Sequence, residues 1–411
     1  MPEPVRKIPL PDGELFPVLI QSRSAPALEP IRYVVAMLRN AGRAEPTIEA
    51  HMRAIAVARE WARSNGFTLE SRMSAGAGLD LQEIEGLSHA LRAAQPESSE
   101  DRALPGNVHR LSRSGKAVKP PLAQGLLNPR TGANRVRFVA GYLDWLARHS
   151  RAEGSRQALR GTVDGLNERA KVRAHRPSAP RKGLSAQQRE RLFAVVDPAS
   201  PDNPFRNPSV RHRNLAIVCC LDETGMRRGE LCGLRIPDID FAKLAISIHR
   251  RPPDPADPRR QRPMTKTGAR LVPIRPELAD VLFAYLSGAR RTDPAARGHT
   301  YVFVAHGGRR PGAPLSPRSV GKVFDVLRDA LGFALHPHLL RHTWNDRFSA
   351  AVDRRAARGD RAAEATEERI RSFLMGWSPQ SSMAPLYTRR HVERAAEAAL
   401  KGMHDGLYQG E

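Results

Sequence analysis

The chain has 411 residues, enough for about two or three domains with cores of their own. Its 66 Lys and Arg outweigh 43 Asp and Glu, a formal charge of +23. Such an excess points to a polyanionic partner, with a solubility surface or an arginine-favouring genome as the alternative. No apolar run reaches the roughly 18 residues of a membrane span, and MPEPVRKIPLPDGELF lacks the apolar centre of a signal peptide.

Residues 1–28 are rich in proline without strong periodicity and predict an extended arm. A helix is expected from Ile31 to Asn40. Another opens near Pro46 and Thr47, with Ile48, Met52, Ile55, Ala58 and Ala62 along one face. Asp80 and Glu83 fit a capping box ahead of Leu81, Ile84, Leu87 and Leu91. The polar stretch 95–130, with Arg110, Arg113, Lys116 and Lys119, predicts a long loop or hinge. Helical pattern returns over 131–149, through Val136, Val139, Leu143 and Leu146, and again over 155–172.

The segment 173–183 combines prolines with basic residues and predicts a linker able to touch phosphates. Ser185 and Gln188 form a second candidate capping box, and 211–222 is helical with an apolar side. Short β-rich segments follow, LAISIHR at 244–250 and ARLVPI at 269–274. Helices are expected over 276–290, 317–331, 338–352 and 364–375. The predicted fold class is mainly α (α+β): an all-helical N-terminal domain, 29–172, and a mostly helical C-terminal domain, 184–411, with a small antiparallel sheet. Cys219, Cys220 and Cys232 lack metal-site spacing and suggest reduced core thiols in an intracellular protein.

Chemistry-bearing residues lie in the C-terminal half. In Thr224-Gly225-Met226-Arg227-Arg228-Gly229-Glu230-Leu231, Gly225 can end one helix and Arg227 can project from the first turn of the next. A guanidinium there can clamp a phosphate, although an arginine at a helix start is more often a solvated charge. Lys266, in Met264-Thr265-Lys266-Thr267-Gly268, sits at a β-turn from which it can protonate a leaving oxygen, though most turn lysines face solvent. In His336-Pro337-His338-Leu339-Leu340-Arg341-His342-Thr343, His338 and Arg341 share one helix face, a pairing suited to binding and proton transfer at a phosphate. A zinc pair, His338 with His342, is the weaker alternative, since the Glu of a zinc-protease helix and a third ligand are both missing. Last come Leu374-Met375-Gly376-Trp377 and Tyr387-Thr388-Arg389-Arg390. An isolated tyrosine is usually a packed aromatic, but neighbouring cations would favour its phenolate.

In this order, over roughly residues 185–400, these four pieces resemble the phage-integrase family of tyrosine recombinases. The N-terminal helices are similar, more loosely, to that family's core-binding domain. The resemblance implies that Arg227 and Arg341 hold the non-bridging oxygens of a scissile phosphate, and that Lys266 is the general acid for the 5′-oxygen. It also implies that His338 assists proton transfer and that Trp377 occupies the place of a second histidine, giving an N–H donor without acid–base chemistry. Tyr387 would attack to form a 3′-phosphotyrosyl bond, and no ATP, metal or other cofactor is needed.

The implied partners are double-stranded DNA, held between two domains, a homo-tetramer at synapsis and accessory DNA-bending or directionality proteins, with no membrane. The implied location is cytoplasmic, on the nucleoid when bound. A topoisomerase of the type IB sort and a DNA-binding regulator without catalysis are the competing readings. The interval from Arg341 to Trp377, holding the charged stretch DRRAARGDRAAEATEER near 353–369, is longer than the resemblance leads one to expect. That from Trp377 to Tyr387 is slightly longer. Both bear on whether Tyr387 serves its own site or a neighbour's. An Ala-rich helix is expected from His391 to about Met403, docking on its own domain or on a neighbour.

Overall fold

The computed structural model describes residues 3–21, 25–94, 125–149, 156–171, 183–259, 262–263, 268–360, 362–378, 381 and 400. The chain divides into two compact units, Met1–Pro177 and Ser178–Glu411.

In the first unit, β1 (Val5–Pro9) pairs antiparallel with β2 (Leu15–Leu19), Pro9 opposite Leu15. Between them the Glu14 N–H donates to Asp12 Oδ1 at 2.9 Å, and Gly13 takes a φ of +81°, a left-handed value that glycine adopts without steric cost. Phe16, Val18 and Leu19 are buried in the helical core. The extended arm expected for 1–28 is therefore corrected to a hairpin sealed onto the helices. Pro17 sits opposite Lys7. A two-stranded ribbon leaves half of its N–H groups outside the ladder, so a proline is tolerated there.

Around the hairpin stand α1 (Leu28–Val34, extended by a π-turn through Arg39), α2 (Glu45–Ser64), α3 (Leu69–Ser74), α4 (Leu81–Arg92), α5 (Pro129–Arg148) and α6 (Arg156–Arg169). The α2 stripe Ile48, Met52, Ile55, Ala58 and Ala62 is fully buried, as are Val136, Val139 and Leu143 of α5. Each large aliphatic side chain so buried contributes about 1.5–3 kcal/mol. Asp80 caps α4, accepting from the Glu83 N–H at 2.8 Å while Glu83 Oε2 accepts from the Asp80 N–H at 2.9 Å. Ile84, Leu87 and Leu91 point inward, but Leu81, expected on the same face, is 68% exposed. As the first residue of the helix it lies beyond the packed turns.

The second unit contains α7 (Ala186–Val196), α8 (Pro208–Thr224), α9 (Arg228–Gly233), α10 (Pro276–Tyr285), α11 (Pro317–Leu331), α12 (Pro337–Ala357) and α13 (Ala362–Met375). An antiparallel sheet, ordered β3-β4-β5, is made by β3 (Ile239–Asp240), β4 (Ala245–Ile248) and β5 (Arg270–Pro273). Ser185 caps α7 through the expected reciprocal bonds with Gln188, at 3.1 and 3.0 Å. Ile217, Leu221, Ile246, Leu282, Phe324 and Leu340 belong to its core. The architecture is mainly helical with a small antiparallel sheet, the fold class expected.

The charged stretch near 353–369 forms the end of α12, a turn at Gly359 and the beginning of α13. Beneath it, the Arg371 guanidinium is fully buried, paired with Glu367 and bonded to Asn345 Oδ1 at 3.1 Å and Ser349 Oγ at 2.8 Å. This polar network ties α13 to α12 in a single register, because any slip leaves a buried charge without its partners. Within the second unit, the residues ahead of α7 are held against α12: the Gly183 N–H donates to Asp346 Oδ2 at 2.7 Å and the Leu184 N–H to Thr343 Oγ1 at 2.8 Å. Among the described residues, no helix is long and apolar enough to cross a membrane.

Candidate active site

The site is assembled where α8, α9, α12 and α13 end or begin. Gly225 terminates α8 with a φ of +61°, and a Cβ there would stand 2.9 Å from both Trp344 Cγ and Met375 Cε. Both conformation and space therefore call for glycine. The turn that follows puts Arg227 at the N-cap of α9, one residue before the first helical position, with its side chain about one third exposed. Glu230 reaches back, its carboxylate accepting from the Arg227 N–H at 2.8 Å. The same carboxylate takes Arg227 Nη1 at 3.4 Å.

At the start of α12, Pro337 fills the first helical turn and the His336 imidazole Nδ1 accepts from the Leu339 N–H at 3.0 Å. His336 is thus a helix cap, a role not read from the sequence. Arg341, one turn further on, is 2% exposed. Its Nη1 donates to the Gly225 carbonyl at 2.7 Å and its Nη2 to the Met375 carbonyl at 3.1 Å, and the guanidinium lies 5.6 Å from the Trp377 ring centre. His338 stands edge-to-face with His342, ring centres 4.7 Å apart. Its outer edge reaches solvent, yet desolvation first, then His342, Arg341, His336 and Arg227, hold its imidazole down to about 4. At neutral pH it is uncharged, one ring nitrogen a donor and the other an acceptor.

The C-terminus of α13 completes the arrangement. The last carbonyls of a helix lack intrahelical partners. Here Gly376, with a φ of +62°, turns the chain so that the Gly376 N–H donates to Phe373 O at 3.0 Å and the Trp377 N–H to Ser372 O at 2.9 Å. The two carbonyls that remain are met by arginines. Leu374 O accepts from Arg270 Nε at 2.8 Å, and Met375 O accepts from Arg341 and, at 3.5 Å, from Arg227 Nη1. The negative end of the helix thus gathers three guanidiniums that would otherwise repel one another.

Arg227, His338, Arg341 and Trp377 are therefore brought to one place. Lys266 and Tyr387 lie outside the described residues, as do 95–124, most of the 173–183 linker and the expected helix from His391. Glu230 and Arg270, which the sequence did not single out as functional, join the cluster: their side chains are each about 1% exposed and pair at 2.8 Å. The signal available was alternation, since Arg270 shares the inward face of β5 with buried Val272, and an inward arginine calls for an acid. Among the described residues no group of three or more His, Cys, Asp and Glu could hold a metal ion. The three cysteines are free thiols, and burial pushes Cys219 and Cys232 up to about 12 and Cys220 upward as well, which makes them poor nucleophiles.

Two guanidiniums with a neutral imidazole beside them make a receptor for a tetrahedral oxyanion. Residues 182–356 match the family model described as the phage integrase family. The tyrosine recombinase XerA of Pyrococcus furiosus is 28% identical over 264 residues, covering 62% of this chain and 75% of that protein. The tyrosine recombinase XerC of Bacillus pumilus is 29% identical over 166 residues, 39% of this chain; the chain spans only 46% of that relative's length. The fold is shared with the Tn1549 transposon integrase in complex with transposon right-end DNA, at 15% identity, a TM-score of 0.51 and coverage of 90% and 99% of the two chains. It is shared likewise with the XerH site-specific recombinase bound to palindromic difH substrate, at 14% identity, a TM-score of 0.52 and coverage of 91% and 84%. Residues 182–356 are thus similar to the phage integrase family, and the relatives that the chain matches are tyrosine recombinases.

Proposed function

We propose that the protein is a site-specific DNA recombinase that breaks and rejoins strands through a covalent 3′-phosphotyrosyl bond, in the integration, excision or transposition of a mobile element. The observation that carries this reading is the convergence of Arg227 and Arg341 on the Met375 carbonyl, with His338 near enough to feel both guanidiniums. In this scheme Arg227 and Arg341 bind the non-bridging oxygens of a phosphodiester and stabilise the charge that builds there during attack. Arg227 is the more readily redirected of the two, because its side-chain bonds at 3.4 and 3.5 Å are long and it reaches solvent.

Tyr387 Oη attacks the phosphorus, the 5′-oxygen leaves with a proton from Lys266, and neutral His338 accepts the tyrosine proton or returns it in the reverse step. An incoming phosphate raises the His338 imidazole from its depressed value, bringing proton transfer closer to neutral pH. Trp377 contributes an indole donor and a face for Arg341. The phosphodiester energy is kept in the phosphotyrosyl bond, so the scheme calls for no ATP and no metal. Duplex DNA is the substrate, and a tetramer at synapsis, with accessory DNA-bending or directionality proteins, is the assembly in which strands are exchanged.

The test is covalent capture. Intact protein and a Tyr387→Phe variant are incubated with fragmented DNA from the source without added metal, and detergent-resistant complexes are isolated and sequenced. Adducts formed by the intact protein alone, at recurring break positions, are expected. Adducts from the phenylalanine variant would overturn the nucleophile assignment, and scattered positions would favour a topoisomerase.

A further inference from the structure

Arg270 has no place in the scheme above, yet it is more deeply buried than Arg227 and touches two parts of the site at once. It opens β5, opposite Ile248 of β4, and alternation turns it inward beside Val272. An arginine is rarely buried unless it is paired. Its two Nη atoms take the two oxygens of Glu230, Nη2 on Oε2 at 2.8 Å and Nη1 on Oε1 at 3.3 Å, a bidentate fork. Its Nε donates in a third direction, to Leu374 O at 2.8 Å.

Each of those partners carries a neighbour of the phosphate receptor. Glu230 binds Arg227 through both the main-chain N–H and Nη1. Leu374 precedes Met375, whose carbonyl accepts from Arg341 and Arg227, and Trp377 follows within the same capped turn. One planar guanidinium thus spans the start of α9 and the end of α13, two elements joined to β5 by no nearby stretch of chain.

We infer that Arg270 is a positioning residue: resting on the catalytic reading proposed above, it sets the separation of Arg227 from the Met375–Trp377 turn and so fixes the width of the phosphate receptor before DNA arrives. It touches no substrate. Its effect passes through Glu230 on one side and the Leu374 carbonyl on the other. A lysine can reach the carboxylate but offers no fork that also points at the carbonyl, so Arg270→Lys retains half of the bridge. Arg270→Gln retains neither the charge nor the span.

Two measurements on the full chain test this. The first uses no DNA: amide hydrogen exchange of the intact protein, Arg270→Lys and Arg270→Gln. Exchange in Arg270→Gln is expected to quicken about tenfold or more at the Arg227, Gly376 and Trp377 amides while the α8 core stays protected, with Arg270→Lys intermediate. Unchanged protection at those amides would overturn the inference, and so would an even loss of protection over the whole unit, which marks general destabilisation.

The second measures binding and covalent-adduct formation on the fragmented source DNA used for capture. Binding is expected within about twofold of the intact protein, while adduct formation in Arg270→Gln slows about a hundredfold and is partly restored in Arg270→Lys. Equal adduct rates would refute the positioning role. If the intact protein forms no adduct, the catalytic proposal fails, and the exchange measurement still decides whether Arg270 holds the two elements.

Discussion

Replacing Gly225 by alanine tests whether the turn between α8 and α9 is closed by packing or by backbone conformation alone. Gly332, which ends α11 at a φ of +74°, provides the control: a Cβ there meets nothing within 4 Å, whereas at Gly225, with a φ of +61°, it meets Trp344 Cγ and Met375 Cε at 2.9 Å. An alanine at either position bears the left-handed backbone cost of about 1–2 kcal/mol. At 225 the Met375 methyl can swing aside. Trp344 cannot do so easily, because its ring is stacked on Phe348 with centres 5.2 Å apart. Overpacking of this kind adds about 1–3 kcal/mol, which brings Gly225→Ala to about 2–5 kcal/mol in total. Urea unfolding of both variants, fitted with separate transitions for the two units, gives the difference directly. Covalent-adduct formation should fall in Gly225→Ala, since the displaced carbonyl is one of the two that hold Arg341, and stay unchanged in Gly332→Ala. Equal losses of stability in the two variants would refute the packing argument.

Burial holds the His51 and His306 imidazoles down to about 4, with Arg43 and Arg213 respectively adding to the effect. Between that value and the ordinary 6.5 the unfolded chain binds protons that the folded chain does not, so stability rises with pH through this window and is lost as pH falls. Melting temperatures measured across the window should show this slope, and His306→Gln should lessen it in the second unit, where His338 also contributes; an identical slope in the variant would exclude His306. Asp222, 2% exposed, accepts from Arg189 Nη2 at 2.7 Å and Arg347 Nη1 at 2.8 Å. Asp222→Asn should cost the second unit about 3 kcal/mol in urea unfolding, and a loss below about 0.5 kcal/mol would show the pairs to be solvent-balanced. DNA affinity should fall about a thousandfold or more between roughly 50 and 200 mM salt, and a flat titration would argue against phosphate-dominated binding.

What was legible beforehand was local. Asp80–Glu83 and Ser185–Gln188 announce helix starts because both partners of each cap lie within one turn, and the α2 stripe is periodic over several turns. The His338–Arg341 spacing likewise needs only a helix to bring both to one side. The N-terminal hairpin was missed because Pro9 and Pro17 disrupt its alternation, although Asp12-Gly13 carried the turn signal. The Glu230–Arg270 pair was missed for another reason. Its members come from different elements, and only the sheet register and the end of α13 bring them together. The second arginine-binding surface, made of main-chain carbonyls, has no residue-type signature at all.

Those carbonyls have a consequence for how the protein meets a distant anion. A carboxylate partner cancels an arginine's charge, so that beyond a few ångströms the pair is nearly invisible. A peptide carbonyl satisfies the guanidinium's hydrogen bonds but contributes only a dipole, whose field fades faster with distance than that of a charge. Arg341, seated on the Gly225 and Met375 carbonyls, is held in place by dipoles as well as by its own packing. A phosphate approaching from solvent therefore finds the guanidinium already oriented when it arrives, with no reorganisation left to make.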